Sequence, residues 1–559
     1  MNITEGTEHA ETSADTDRAK VVRVVGCPSG GKTTRLLDLV EQHAADGKAP
    51  EDMLYLTFTR SGKTEVAERL TTTLDCDEER AEGRASTFHG AACSACYRTG
   101  VIDEGEQIIP LGSDTHIAFC EQVGFSYDPD YRDPLIETRD DDTAGDPGSQ
   151  LFALADWLRY TRNPPEACTK APSAVPMPAP YNQTVRLLRE WDTFKRSAYG
   201  RPRFEHADYV DAAIDGGLVP KVDVLFIDEF QDLCPQEYAL YDTWIRGRNR
   251  VETAYIAGDA NQSVYGFRAG TPRYFIGTSR DDEIEQLVSY RCPAEIVSVA
   301  RGVLEAHPDT DPNGFTAARD GGTVERVRLQ TPRELTDRLW SDIITHDPND
   351  DGHRVFLLTR TNKQARSVAS ALDNCGVPHS YFGRNESNQP WGDGLALVYR
   401  GTEAIGREQE IQYKPAEIKR AVQERITASS EIETYDELNA LDPTKIVKRL
   451  DLYWSERKRL LGALSAPNWC NPNHVSVGTM HSAKGLEAPC VYLFDTMPHS
   501  VYESYIDGTN ADEEHRVYYV GASRASETLR VVSDYWVGGE PFPPFADGLP
   551  AADGEVLHR

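Results

Sequence analysis

Eight residues near the N-terminus constrain this chain more than any other feature. Gly26-Cys27-Pro28-Ser29-Gly30-Gly31-Lys32-Thr33 has the spacing GxxxxGK[ST] and stands between a short apolar run, Val21–Val25, and a helical pattern. A strand feeding a Gly-rich turn and then a helix is a phosphate cradle. The glycines let backbone N–H groups close on anionic oxygens, and the helix N-terminus favours the negative charge. Lys32 is expected to reach the terminal phosphates of a nucleotide and the Thr33 hydroxyl to hold Mg²⁺. Such a site also needs a carboxylate near the metal. Asp228-Glu229 follows the apolar run Val222–Ile227, and a buried parallel strand delivers its next residues to the crevice at the sheet's C-terminal edge. Asp228 is the expected partner of the metal. Glu229 is expected to orient or deprotonate the attacking water.

At 559 residues, with 39% hydrophobic content, the chain is too long for one core and rich enough in apolar residues to build several. Strand-like runs at Met53–Thr59, Thr253–Ala257, Arg354–Thr359, Val475–Thr479, Val491–Phe494 and Leu529–Val532 alternate with helical patterns. That alternation predicts an α/β protein with two parallel-sheet domains. Leu151–Tyr160 and Thr184–Arg196 read as helices, the second with a core-facing stripe at Leu187, Trp191 and Phe194. Residues 126–150 read as an acidic loop, 163–180 as a Pro-rich connector, and 396–469 as mainly helical. Residues 1–20 and the Gly- and Pro-rich end from Val537 read as mobile tails.

Charge and cysteine usage limit the setting. The net charge is −31, so composition does not suggest a basic nucleic-acid-binding module. Only 14 of the 59 basic residues are lysine. High acid with little lysine fits either a surface adapted to high salt, where a hydrated carboxylate coat keeps protein soluble, or an ordinary acidic protein. At ~1 M salt the screening length is about 3 Å, so repulsion from a polyanion would matter little. No apolar run reaches the ~18 residues that span a bilayer, and the N-terminus has no apolar signal core. The expectation is a cytoplasmic protein with no membrane partner. The 11 scattered cysteines fit reduced thiols. Cys93 and Cys96 have CxxC spacing, which either marks one helix face or contributes to a metal cluster.

Further motifs follow in order. Asp228–Asp232 reads DEFQD, Thr57–Leu70 reads TFTRSGKTEVAERL, and Thr87–Gly90 reads TFHG. Gly258–Gly270 reads GDANQSVYGFRAG, Tyr290-Arg291 lies in SYRCP, Val477–Glu487 reads VGTMHSAKGLE, and Tyr519–Ala525 reads YVGASRA. With the phosphate motif, this series resembles the UvrD/Rep/PcrA-like superfamily 1 DNA helicases from about residue 24 to 531.

The resemblance implies two RecA-like cores with ATP in the cleft between them. It places the first core at 21–98 and 205–285, a helical insertion at 99–204, the second core at 286–395 and 470–536, and a reduced helical insertion at 396–469. Tails occupy 1–20 and 537–559. Gln262, Arg291 and Arg524 would face the γ-phosphate, Tyr290 would stack on adenine, and Glu487 would contact the sugar or phosphate end. Arginines suit that task because phosphoryl transfer builds charge on equatorial oxygens. The implied activity is ATP-driven 3′→5′ translocation on single-stranded DNA with duplex unwinding, in repair or replication. Single-stranded and forked DNA, with replication or repair proteins, are the implied partners. The alternative is a non-unwinding ATPase that strips protein from DNA.

A translocase holds a strand by aromatic platforms and phosphate donors without reading sequence. Phe58, His89, Tyr265, Phe267 and Arg268 suit that task, and the resemblance adds Thr57, Arg60, Thr479 and His481 near the backbone. Phe267 stands where the family usually has Trp. The family's adenine-reading glutamine has no counterpart in residues 1–25, and Thr34 occupies the position of a family arginine, with Arg35 next. Residues 414–459 hold ten basic and nine acidic residues, which form either a duplex-contacting face or a helical surface laced with i,i+4 pairs.

Overall fold

The computed structural model describes residues 18–103, 108–110, 112–128, 145–172, 175–197, 200–246, 251–343, 352–382, 389–406, 415–426, 438, 441–466, 470–534, 536–546, 548–550 and 556–557. It divides into two compact units. One comprises the described residues of 18–26, 31–128 and 145–286, and the other those of 27–30 and 287–557.

The first unit is built on a six-stranded sheet. Its strands are β1 (Lys20–Gly26), β2 (Met53–Thr57), β3 (Ala85–Thr87), β4 (Val224–Ile227), β5 (Thr253–Gly258) and β6 (Asp282–Gln286), in the spatial order β3-β2-β4-β5-β1-β6. Every neighbouring pair is parallel. Val224–Ile227 and Met53–Thr57 are buried along their whole length, as expected for strands covered on both faces. One face packs Leu54, Leu56, Leu225, Ile227 and Ile256 against Phe88, Trp244 and Phe275. The other packs Val24, Tyr55 and Phe226 against Leu36, Val40 and Leu70.

Helices between β3 and β4 form a separate core around Trp191, Phe119 and Phe152. Leu187 and Trp191 are buried as the stripe predicts, and Phe194 packs against the same cluster. The Pro-rich connector is packed rather than loose: it contains a 3₁₀ turn, Pro165–Lys170, and buries Cys168 and Val175. A charge network closes this region. Lys195, only 3% exposed, donates to Glu205 Oε2 at 2.5 Å and to Asp208 Oδ2 at 2.6 Å. Trp191 Nε1 donates to the same Glu205 oxygen at 3.0 Å.

The second unit repeats the plan. Its strands stand in the order Ser380–Tyr381, Val475–Thr479, Val355–Thr359, Ala488–Phe494, Ala525–Asp534 and Thr323–Leu329, all parallel to their neighbours. Between strands Ser380–Tyr381 and Val475–Thr479, the described part of 396–469 is mainly helical, with a small core around Val398, Ile446 and Leu460.

Two tail expectations change. Lys20 already belongs to β1, and Arg18 pairs with Asp281 at 2.8 Å; residues 1–17 lie outside the described residues. From Val537 the chain is anchored, not mobile, up to Ala546. Glu540–Pro541 pairs antiparallel with Thr496–Met497, and Phe542 and Phe545 are fully buried. Phe542 stacks on Tyr518 with ring centroids 3.9 Å apart. Glycine and proline dominate the composition there, but two phenylalanines supply the anchor. Gly539 (φ 130°) lies so close to Met497 that a Cβ would fall 2.3 Å from its carbonyl oxygen. Part of the 126–150 loop, 129–144, lies outside the described residues. Among the described residues no helix is long and apolar enough to cross a membrane. The 11 cysteines are free.

The Lys195 network yields a stability prediction. Burial alone would raise the Glu205 carboxyl, but Lys195 and His116 outweigh it and hold the group below the usual carboxylate range. Removing the cation takes the lysine partner from the buried Glu205, while Asp208 keeps Arg159, so Lys195→Met is expected to cost about 3 kcal/mol in chemical denaturation at neutral pH. A depressed carboxyl stabilises above its unfolded value of about 4.3 and loses that contribution as pH falls toward its folded value. The difference between the two proteins should therefore narrow in acid.

Candidate functional site

Because all strands of the first sheet run the same way, residues following β1, β2, β4 and β5 emerge along one edge. The phosphate loop leaves β1 at Gly26 and enters helix Lys32–Ala45. Gly31 is left-handed (φ 83°), a conformation glycine adopts freely. Ser29 (φ 52°) is held in the same region without that freedom. Gly26 makes room for the lysine: a Cβ there would lie 2.4 Å from Lys32 Cγ. Thr34 is exposed and accepts from Arg69 at 3.2 Å. Cys27–Gly30 belong to the second unit, where the Pro28 carbonyl accepts from Ser289 Oγ at 2.9 Å and the Ser29 carbonyl from the Tyr290 N–H at 3.2 Å. Tyr290 is 67% exposed, with its ring in solvent.

Thr33 and Asp228 meet. Thr33 Oγ1 donates to Asp228 Oδ2 at 2.6 Å, and the buried Tyr55 hydroxyl donates to the same oxygen at 3.1 Å. Burial and then Glu229 push the Asp228 carboxyl above its ordinary range, with Thr33 and Lys32 opposing. A hydroxyl and a carboxylate in contact are hard oxygen donors, the chemistry that suits a divalent cation already carrying phosphate and water ligands. Glu229 has a left-handed backbone (φ 55°), a strain of about 1–3 kcal/mol that packing must hold. Gln231 supplies a restraint. It is fully buried, its Nε2 donates to Glu229 Oε2 at 2.5 Å, and its Oε1 accepts from the Asp259 N–H at 3.1 Å. Asp259 in turn accepts from Gln262 Nε2 at 2.8 Å. The ends of β4 and β5 are thus joined by one polar chain from Glu229 to Gln262. Sequence reading singled out its two ends but not Gln231 or Asp259, although both lie inside quoted motifs.

The aromatic residues expected to hold a strand are grouped in the first unit. Phe58 and Tyr265 stack with centroids 5.4 Å apart and planes 20° from parallel. The Arg268 guanidinium lies 5.3 Å from the Phe58 centroid and 5.7 Å from that of Tyr160. Tyr160 meets His89 edge-on at 6.3 Å. Tyr160 ends helix Pro147–Tyr160 in the insertion, far from any motif, and nothing in the sequence pointed to it. Burial pushes His89 down to about 4, against Glu237 and with help from Arg268 and His206, so the ring is neutral at pH 7. Among the described residues its Nε2 has no hydrogen-bond partner. Thr57 is buried and donates to the Thr59 carbonyl at 3.0 Å. The side chains of Arg60 and Phe267 lie outside the described residues.

The second unit gathers its own expected residues. Arg291 Nε donates to Glu487 Oε2 at 2.5 Å and Nη1 to the Ser523 carbonyl at 3.3 Å. Arg524 is 1% exposed. It donates to the Val520 carbonyl at 2.8 Å, the Leu486 carbonyl at 3.3 Å and Ser523 Oγ at 2.9 Å. Thr479 is buried beside Ser482 at 3.2 Å. His481 is buried as well; burial, with Arg360 and Lys484, holds it well below its ordinary value. Arg360 and the fully buried Glu514 form a bidentate pair at 2.7 Å that sequence reading did not single out. Cys93 and Cys96 share helix Phe88–Thr99, and no group of three or more metal-ligating side chains occurs among the described residues.

A phosphate cradle with a carboxylate pair at one sheet edge, followed by a second parallel sheet, defines a P-loop nucleotide-dependent protein of tandem α/β units. Residues 210–282 match the UvrD/REP helicase N-terminal domain and residues 408–534 the UvrD-like helicase C-terminal domain. Both family-model domains of the UvrD-like helicases are thus present, one in each unit. It is 24% identical over 548 residues to the ATP-dependent DNA helicase UvrD2 of Mycobacterium bovis and of Mycobacterium tuberculosis, covering 89% of this chain and 74% of the relative. It is 21% identical over 408 residues to the ATP-dependent DNA helicase PcrA of Staphylococcus epidermidis, covering 56% of this chain and 55% of that protein.

The Gln231 bridge is testable. Gln231→Leu keeps the volume and removes both hydrogen bonds that hold Glu229 to Asp259. Loss of positioning is expected to lower kcat for nucleotide turnover about 10- to 100-fold with KM nearly unchanged, in steady-state kinetics.

Proposed function

We propose that this protein is a motor that hydrolyses ATP to move 3′→5′ along single-stranded DNA and separate duplexes, in repair or replication. The chain is an enzyme of the ATP-hydrolysing helicase family, and ATP-dependent DNA unwinding is its family's activity. The observation that carries it is the contact between Thr33 and Asp228 at the C-terminal edge of a parallel sheet, with Glu229 restrained beside it.

In this reading Lys32 binds the β and γ phosphates, and the main chain of residues 26–31 cradles them. Thr33 and Asp228 hold Mg²⁺, which would supply charge neutralisation on the phosphates. Glu229 takes a proton from water, and its backbone strain together with Gln231 sets its direction. Gln262, Arg291 and Arg524 meet the γ-phosphate. For Arg524 this requires exchanging three partners for phosphate oxygens, so nucleotide binding and a local rearrangement are coupled. Tyr290 offers an open ring to the base, and Glu487 the sugar end. Phe58, Tyr265, Arg268 and His89, with Tyr160, support a strand by stacking and by contacts that ignore base identity. Thr57, Arg60, Phe267, Thr479 and His481 complete the track by resemblance.

ATP turnover with and without oligonucleotides across a potassium chloride series tests the reading. A haloadapted surface should give maximal DNA-stimulated turnover near molar salt. Lys32→Ala and Glu229→Gln should each lower turnover at least about a hundredfold, while Glu229→Gln still binds nucleotide. Robust hydrolysis by Glu229→Gln would remove Glu229 from the chemistry. For polarity, a duplex with a 3′ single-stranded tail should be unwound and one with a 5′ tail left intact; the reverse preference would overturn the direction.

A further inference from the structure

The described part of the reduced helical insertion presents a surface that the nucleotide site and strand track do not use. Helix Pro443–Arg449 and helix Trp454–Ser465 share a small core, with Ile446, Val447, Leu450, Leu460 and Ala463 buried beneath them. Arg457 locks the two together, donating to the carbonyls of Val447 at 3.2 Å, Lys448 at 3.1 Å and Leu450 at 3.0 Å. At this junction Tyr453 and Trp454 stand 81% and 78% exposed, more than any other large apolar side chain among the described residues. Their backbone is fixed, because Tyr453 caps the second helix and its N–H donates to Glu456 Oε2 at 2.8 Å.

Two adjacent rings in water contribute nothing to a core, and burying them would stabilise the fold. Their charged setting indicates what they meet. Between residues 442 and 459 there are six basic and three acidic residues, in a chain of net charge −31. Some of the basic groups are used internally: Arg459 pairs with Asp373 at 3.0 Å, and Lys445 with Asp442 at 3.6 Å. Lys448 and Lys458 remain exposed. Lys458 Nζ lies 5.6 Å from the Trp454 ring centroid, and Lys448 stands in the last turn of the neighbouring helix, its carbonyl accepting from Arg457 at 3.1 Å. Open aromatic faces beside lysines, on an otherwise acidic molecule, complement a polyanion that carries flat π-systems.

We propose that Tyr453 and Trp454, with Lys448 and Lys458, form a second base-stacking platform that captures an unpaired stretch of DNA. The assignment rests on the DNA-directed reading above. It differs from a duplex-contacting face, because paired bases hide the surfaces that rings stack on, whereas the phosphates would meet the lysines in either form.

The test uses the full chain at the salt of maximal ATP turnover. Dissociation constants for a forked DNA with two unpaired arms, and for the fully paired duplex, are measured by fluorescence anisotropy. Tyr453→Ala/Trp454→Ala is expected to weaken fork binding about tenfold, with little change for the duplex. ATP turnover at saturating single-stranded DNA should stay close to that of the unaltered protein, which also shows that the variant folds. Trp454→Phe, which keeps a ring, should retain fork binding, and Trp454→Leu should not. Equal fork affinity of the double variant and the unaltered protein, with stimulation by DNA intact, would overturn the platform alone. Leu serving as well as Phe would also overturn it and indicate an apolar docking face for a protein. An unaltered protein that neither binds DNA nor responds to it would remove the DNA reading, and the platform with it.

Discussion

Strand direction governs this molecule. In each six-stranded sheet every neighbouring pair is parallel, so the residues that leave the strands collect along one edge. Parallel strands require crossovers that cover both faces, which is why Val224–Ile227 and Val355–Thr359 are buried throughout. The edge is then where polar chemistry can be placed without disturbing a core. Thr33, the Asp228-Glu229 pair and Gln262 lie apart in the chain and are brought to that edge by the pairing of β4 with β5 and of β5 with β1.

Polar groups at such an edge are partly buried, and their arrangement follows from the need to satisfy them. Asp228 takes hydrogen bonds from Thr33 and Tyr55 on one oxygen and from the Glu229 N–H on the other. Gln231 spends its donor on Glu229 and its acceptor on Asp259. An unmade hydrogen bond at these depths costs more than a made one gains, so the network resists single rearrangements and holds Glu229 in a strained backbone. The arginines of the second unit are held differently. Arg524 donates to two carbonyls and a hydroxyl, neutral groups that a more strongly charged acceptor can displace.

Much of the site was readable before folding because its residues sit in short contiguous patterns. The phosphate loop and DEFQD depend on local turn geometry after a strand, and apolar runs disclose such strands. Tyr160 could not be found this way. It lies at the end of an ordinary amphipathic helix and joins Arg268 and His89 only because the insertion packs there. Arg360 and Glu514 are equally silent in the sequence, being separated by more than a hundred residues. The terminal segment misled for the opposite reason. Its glycines and prolines suggested looseness, while Phe542 and Phe545 bind it to Tyr518. The basic stretch 414–459 allowed two readings, and the structure shows its charges divided between internal pairs, such as Arg459 with Asp373, and exposed lysines beside two open rings.

The sequence by itself determined the α/β class, the phosphate loop with its lysine and hydroxyl, and the carboxylate pair. These follow from periodicity and from residue spacing within a single turn, which need no distant partner. Only the tertiary structure decided that Gln231 bridges Glu229 to Asp259, that Tyr160 joins Arg268 and His89, that Arg524 is buried against carbonyls, and that Tyr453 and Trp454 stand in solvent. Each depends on which distant surfaces exclude water from one another, and burial of that kind is a property of the packed chain, not of any local stretch of it.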